Sequence, residues 1–470
     1  MLFVAREGAY LDPPAALSAQ LRRLLVELSV DAKPGDLGAT ASTLVEADKK
    51  SKRRLRRLVA GVLPNKISRH GSPARAPMVE KVVGAAGFSA KRGPHGIIVA
   101  LEHKSHLYAA LAAIVRSFPK YSRKSNGEET DSLMRITVID EAGAAIAVDE
   151  TTKLTLETTR RMAELVDLPP AELTPAAFAD VARELLGSSV AIEELVGDAL
   201  LEAGLGGIHA VGRAALVPPR MLIARYRPER AKGKELALVG KGITFDTGGL
   251  HLKARGNMET MKCDMGGAAA VLGAFRVLVA EAPRRPLSLV LCIAENAIGP
   301  TAYKPDDVIT LHSKKTVEIN NTDAEGRLLL ADGVSYAGRV LGAKTVLDAA
   351  TLTGAQLYAT GSTHAAVVSN SDKLERILVD AGYSTGDLVH PLLFAPEFMK
   401  GEFKSPVADM RNSVKNRMGP QTSAAAQFVY NHIEDLDLTW GHVDLAGPAF
   451  RNDRATGFGV ALLAEAARRA

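Results

Sequence analysis

The run Val317-Glu318-Ile319-Asn320-Asn321-Thr322-Asp323-Ala324-Glu325-Gly326-Arg327 sets two carboxylates and a guanidinium at alternating positions, where a β-branched strand signal gives way to a helix signal. Residues two apart do not share a helix face. Asp323 and Glu325 are therefore expected in a loop and first helical turn, with their oxygens able to converge. Oxygen donors of this kind suit hard or borderline cations such as Mg²⁺, Mn²⁺ or Zn²⁺, and Arg327 could hold an anion beside them. Upstream lies Val239-Gly240-Lys241-Gly242-Ile243-Thr244-Phe245-Asp246-Thr247-Gly248-Gly249, followed by Lys253 and Asp264. Lys241, Asp246, Asp264, Asp323 and Glu325 are costly to take from water unless they pair or bind metal. Four carboxylates carry charge enough for two divalent ions, and bridging carboxylates would hold these roughly 3.5–4 Å apart, as in two-metal hydrolysis. The plainer alternative for the acids is helix capping and surface pairing.

Other residue patterns point away from competing chemistries. The eleven histidines form no HExxH or similar zinc-ligand spacing. His251 shares parity with Lys253 on an extended segment, where a wall or solvent role is expected of it. Gly240-Lys241-Gly242 lacks the GxxxxGK[ST] pattern of a phosphate-binding loop.

The elements that must position these residues are read from apolar runs and turn signals. Gly93-Pro94-His95-Gly96 leads into Ile97–Leu101, a buried strand, and Arg135–Asp140 reads as another, with helical spacing from Leu107 to Phe118 between them. A helical stretch from Thr151 to Val166 precedes Thr174-Pro175, a cap residue followed by proline at the first helical position. Beyond it strands and helices alternate. Strands are predicted at Leu236–Val239, Leu287–Ala294, Thr316–Ile319, Thr345–Leu347, Ala365–Ser369 and His442–Leu445; helices at Ala268–Val279, Gly326–Val340 and from about Gly457. The strands are continuous apolar runs, as in a sheet covered on both faces. In open α/β sheets ligands sit beyond the carboxyl ends of strands, and Lys241, Asp246, Asp323 and Glu325 follow such strand signals. The fold expected is α/β with two domains. A small N-terminal α/β domain spans 1–150. A larger α/β/α catalytic domain with a mixed, largely parallel sheet spans 151–470, opening on a linker helix, its catalytic part beginning near residue 155.

Asn321-Thr322-Asp323-Ala324-Glu325-Gly326-Arg327, together with Lys241, Asp246, Lys253 and Asp264, resembles the metal site of the leucyl (cytosol) aminopeptidase family. The run Ala294 to Ala337 is most similar to that family's probable-aminopeptidase-like branch, and the likeness extends over roughly the last two-thirds of the chain. The resemblance implies that Asp246 and Glu325 bridge two ions, Mn²⁺ or Zn²⁺, that Asp323 completes one site, and that Lys241 and Asp264 complete the other. A ligating lysine must be the neutral amine, so Lys241 is expected to have a depressed pKa. It further implies Lys253 and Arg327 as catalytic residues. Metal-bound hydroxide would attack the peptide carbonyl, Lys253 would stabilise the oxyanion, and a bicarbonate at Arg327 would act as base. Met261, Thr351, Gly354, Ala446 and Ala449 align with the family's pocket for the first substrate side chain, and each could equally be core packing. At the last position the family usually has methionine, and Ala449 is smaller. Peptide substrates with an N-terminal leucine or other apolar residue, and a homohexamer with enclosed active sites, are the remaining implications.

Composition agrees with a soluble globular protein. The 470 residues allow two or three domains, and 47% hydrophobic with 24% charged residues supports a full core. Two cysteines, Cys263 and Cys292, exclude a disulfide framework and point to a reducing, cytoplasmic compartment. Met1-Leu2-Phe3-Val4-Ala5-Arg6-Glu7 does not read as a signal peptide, and no apolar run approaches the ~20 residues of a membrane span, Leu287–Ala294 being the longest candidate. The formal charge of +5 is concentrated in Lys49–Arg57, where seven of nine residues are basic. That run could be an anion or nucleic-acid patch, but Leu55, Leu58, Val59 and Val62 have helical spacing and favour an amphipathic helix with a solvated basic face. Two competitors follow: a DNA-binding regulator using the Lys49–Arg57 face, since some relatives act on DNA, and a catalytically silent relative.

Overall fold

Alternation of side chains across a strand lets one apolar run serve two cores at once, and this division organises both parts of the molecule. The computed structural model describes residues 1–46, 55–88, 95–125, 134–416 and 418–470. The chain divides into two compact units, Met1–Leu156 with Gly382–Leu388, and Glu157–Ala381 with Val389–Ala470.

The first unit is built on strands β1 (Leu2–Arg6), β2 (Ala39–Glu46), β3 (Leu55–Leu63), β4 (His95–Leu101) and β5 (Met134–Asp140). They lie in the order β2-β3-β1-β4-β5. All neighbours are parallel except β2 and β3. Here the predicted helix around Leu55–Val62 is corrected to a strand. Leu58, Ala60 and Val62 enter one core with Leu25 and Leu28 of the helix Ala19–Asp31. Val59 and Leu63 enter the opposite core, with the helices Ala76–Ala85 and Leu107–Arg116. A short apolar run fits both periods, and burial on both faces decided for the strand. Lys49–Arg54 and the Gly93-Pro94 turn lie outside the described residues.

In the second unit the strands are β6 (Ala191–Val196), β7 (Arg220–Tyr226), β8 (Leu236–Asp246), β9 (Leu287–Asn296), β10 (Val308–Thr310) and β11 (Thr316–Glu318). They continue as β12 (Thr345–Ala350), β13 (Ala365–Ser369), β14 (Val389–Pro391), β15 (Met410–Arg411) and β16 (Thr439–Asp444). Eight form one sheet in the order β14-β13-β16-β12-β8-β9-β7-β6, while β10, β11 and β15 form a small separate one. The central four, β16-β12-β8-β9, are parallel; β6, β7 and the β13–β16 pairing are antiparallel. Leu236, Leu238, Leu289, Leu291 and Leu347 face a core filled by the helices Pro175–Leu186, Gly266–Ala280 and Val460–Arg469. Ala237, Val239, Val290, Cys292 and Val346 face the other, with Gly326–Arg339 and Gln421–Tyr430. Thr174 caps its helix as expected, its Oγ1 accepting from Ala177 N at 3.3 Å.

One reading of the sequence needs correction. Met261–Ala280 is long and apolar enough to cross a membrane by length and composition, so Leu287–Ala294 is not the longest apolar candidate. Its most apolar window is 83% buried inside the second unit, which accounts for its composition as that of a core helix.

Candidate active site

β8 carries two of the predicted ligands. Lys241 shares parity with Ala237 and Val239, so its side chain points into the layer beneath the helix Gly326–Arg339. It lies within the strand rather than just after it, because β8 runs on to Asp246 through a register irregularity between Ile243 and Asp246. Such irregularities turn a side chain beside a functional site. The following turn needs glycine: Gly248 has φ +85°, and a Cβ there would come 2.8 Å from Asp323 Oδ1.

The carboxylate pair Asp323 and Glu325 arrives on the loop after β11. Asn412, fully buried, binds that loop: its Oδ1 accepts from Asn320 N at 2.9 Å and Asn321 N at 3.2 Å, and its Nδ2 donates to Asn321 O at 2.6 Å. Thr322 Oγ1 donates to Gly248 O at 2.7 Å, and Tyr303 Oη donates to Thr322 O at 2.5 Å. His251 is exposed, and its Nδ1 accepts from Thr322 N at 3.1 Å, tying it to the same loop. Asp264 enters from a short turn, Met261–Met265, preceded by Thr260 at φ +74°, a left-handed conformation uncommon for a β-branched residue.

These segments bring the predicted residues together. Ligand atoms of Asp246, Asp323 and Glu325 lie within 4.8 Å of one another. Lys241 Nζ is 2.8 Å from Asp264 Oδ1 and 2.9 Å from Glu325 Oε1, and it donates to Thr351 O at 3.0 Å. Lys253 Nζ stands 2.8 Å from Asp246 Oδ2 and 2.6 Å from Asp323 Oδ1. Asp246 Oδ1 accepts from Gly248 N and Asn296 Nδ2, both at 2.8 Å. At Gly326 an added Cβ would lie 2.5 Å from Lys241 Cε, so glycine lets the helix start directly over the lysine. Arg327 is buried, and its guanidinium donates from Nη1 to Asn412 O at 3.0 Å.

Burial raises the carboxyl groups of Asp264, Asp323 and Glu325 above their ordinary range, against the lysines that lower them. Burial also pushes the Arg327 guanidinium down to about 10, with Glu325 and Asp444 opposing. For Lys241, burial lowers the ammonium but Asp264, Glu325 and Asp246 raise it further, so amid carboxylates alone it is charged. The neutral amine expected of a ligand requires cations to take over those carboxylates. The donor set fits such cations. Four carboxylates face the two lysine ammoniums, and Asp264 Oδ2 and Glu325 Oε2 are buried without a hydrogen-bond partner.

The predicted pocket residues are gathered less completely. Thr351 is buried and its Oγ1 donates to Asp264 Oδ1 at 2.8 Å. Thr351 Cγ2 and Ala449 Cβ flank Gly266, at 3.3 and 3.5 Å from where its Cβ would stand. Met261 packs partly buried against the same core. Gly354, by contrast, is exposed at the start of a short helix, and Ala446 is half-buried just after β16. Sequence reasoning missed Asn296, Tyr303 and Asn412. Asn296 ends the apolar run of β9, and its place at a strand's carboxyl end could have marked it; Asn412 and Tyr303 carry no such signal.

The chain is similar to known proteins over most of its length. The catalytic-domain profile of the cytosol aminopeptidase family matches residues 160–464, and a profile described as M17 aminopeptidase N-terminal domain 2 matches residues 15–127. Probable aminopeptidase NPEPL1 of Mus musculus is 43% identical over 412 residues, covering 85% of this chain and 77% of its own. Leucine aminopeptidase 1 of Caenorhabditis elegans is 41% identical over 405 residues, covering 85% and 81%. Among solved structures, the apo leucyl aminopeptidase of Trypanosoma cruzi superposes with a TM-score of 0.90 at 38% identity over 99% of this chain and 92% of that one. Leucyl aminopeptidase of Trypanosoma brucei in complex with bestatin gives 0.89 at 36% identity over 100% and 92%. The chain belongs to the leucyl (cytosol) aminopeptidase family of metallo-exopeptidases, on the side of its probable-aminopeptidase-like branch.

Proposed function

We propose that the protein is a dinuclear metal-dependent aminopeptidase that removes leucine or another apolar residue from the N-terminus of peptides. The observation that carries this reading is the convergence of Asp246, Asp323 and Glu325 within 4.8 Å, with Lys253 directly over two of them. Asp246, Asp264, Asp323 and Glu325, with Lys241 as its neutral amine, would hold two Mn²⁺ or Zn²⁺ ions. When bound, such ions polarise a carbonyl and lower the pKa of water. Lys253, half-buried at the rim, supplies a charge-assisted donor to the oxyanion that develops as the carbonyl becomes tetrahedral. Arg327, buried and donating to Asn412 O, is the residue to hold a bicarbonate as base. Asn296 and Gly248 hold Asp246 in one orientation through hydrogen bonds to its Oδ1. The leucyl aminopeptidases of Trypanosoma brucei and Leishmania major seen with bestatin and actinonin support a site of this class. Relatives named cytosol aminopeptidase support a cytoplasmic location.

The test is hydrolysis of leucine amides before and after chelation, with N-acetylated peptides as the control. Activity should vanish on chelation and return with Mn²⁺ or Zn²⁺, and blocked peptides should resist. Efficient cleavage of blocked peptides would rule out an exopeptidase.

A further inference from the structure

β12 and β16 run parallel with Ala350 paired to Asp444, and leave the sheet side by side. The segments that follow, 351–354 and 446–449, carry most of the proposed pocket for the first substrate side chain. Apolar packing holds the first of them only in part: Leu352 is half-buried against the core and Gly354 is exposed. Polar side chains tie it down as well. Asp444, fully buried, accepts from Leu352 N at 3.0 Å and Ala446 N at 3.3 Å through Oδ1, and from Thr353 Oγ1 at 2.7 Å through Oδ2. Gln356, also fully buried, accepts from Gly447 N at 2.6 Å through Oε1. Its Nε2, with two hydrogens to donate, lies 2.6–2.9 Å from three acceptors, Thr360 Oγ1, Gly361 O and His364 O. Gln356 N in turn donates to Thr353 Oγ1 at 3.1 Å, joining the two clamps.

A buried carboxylate is a costly fastener that apolar packing could replace where only stability matters. Three donors drawn from two loops give it a geometric purpose. We propose that Asp444 and Gln356 are positioning residues for substrate selection: they lock segment 351–354 to segment 446–449 and so fix the separation of Thr351 and Ala449. The inference rests on the reading of those segments as the first-residue pocket. A pocket held rigid discriminates between side chains by shape, whereas one whose walls can slide accepts both.

The experiment measures kcat and KM for leucine and phenylalanine amides in Gln356→Met, Asp444→Asn, Asp444→Ala and Ala449→Met, with metal content and thermal unfolding recorded for each holoenzyme. Gln356→Met keeps volume but leaves Gly447 N without its acceptor. It should change the leucine-to-phenylalanine ratio of kcat/KM by about fivefold, mainly through KM, with metals retained. Asp444→Asn keeps an acceptor for both backbone amides and should shift the ratio less than Asp444→Ala. A merely structural role would lower both substrates alike. If Ala449→Met moves the ratio while folded Gln356→Met and Asp444→Asn stay within about twofold of the parent, the pocket reading stands and the positioning roles are overturned. If Ala449→Met also leaves it unmoved, the pocket reading fails and the inference falls with it.

Discussion

Lys253 stands over Asp246 and Asp323 at the rim, whereas Lys241 is sealed between Asp264 and Glu325, and this difference separates what each substitution should do. Lys253→Ala should retain both metals and lose about 10²–10³ in kcat, the usual cost of one lost oxyanion donor. Glu325→Ala should lower metal content itself, because it removes a proposed metal ligand. Metal analysis beside steady-state kinetics distinguishes them. Full activity in Lys253→Ala, or unchanged metal in Glu325→Ala, would reverse the assignments. At this scale the sequence was informative where chemistry is packed into short runs, as in Asn321–Arg327. It was silent where a residue acts through a distant partner. Asn412 holds a loop some 90 positions away, and Asp444 reaches back as far to Leu352. Nothing in the local composition of either segment announces the pairing.

At the scale of elements, the alternating strands and helices of the second unit were legible because buried parallel strands read as unbroken apolar runs. Leu55–Leu63 was not, since its apolar spacing fits a helix and only two-sided burial makes it a strand. Helix junctions also hide titratable groups the sequence does not flag. His432 follows the helix Gln421–Tyr430, fully buried, with Nδ1 2.6 Å from Ser313 Oγ. Burial pushes its imidazole down to about 3, with Lys315 adding to the effect. A histidine depressed on folding contributes stability that is present above its unfolded pKa and lost as pH falls toward the folded value. Unfolding free energies of the parent and His432→Gln should therefore converge by about 2 kcal/mol between pH 7.5 and pH 5, taking an unfolded pKa near 6.5. A pH-independent difference in denaturant unfolding would show that His432 protonates as readily folded as unfolded.

For the whole molecule, the two-domain α/β organisation was readable from length and from the change in motif density along the chain. What could not be read was that Gly382–Leu388, far along the catalytic sequence, groups with the first unit, because contacts between distant segments leave no local mark. Assembly is a property of this scale as well. The homohexamer we propose, with active sites facing an enclosed interior, would admit short peptides and exclude folded proteins, and closed symmetric oligomers are the common case for soluble enzymes. Light scattering at dilute concentration should give the hexamer mass, and a fully active monomer would remove that basis for size selection. The central claim, that the carboxylates and Lys241 form a two-ion site required for peptide hydrolysis, is tested most directly by adding Mn²⁺ or Zn²⁺ back to the stripped protein while following bound metal and leucine-amide turnover together. The account predicts that turnover rises with occupancy and reaches its plateau near two ions per chain; turnover in the metal-free chain, or a plateau well below one ion per chain, would contradict it.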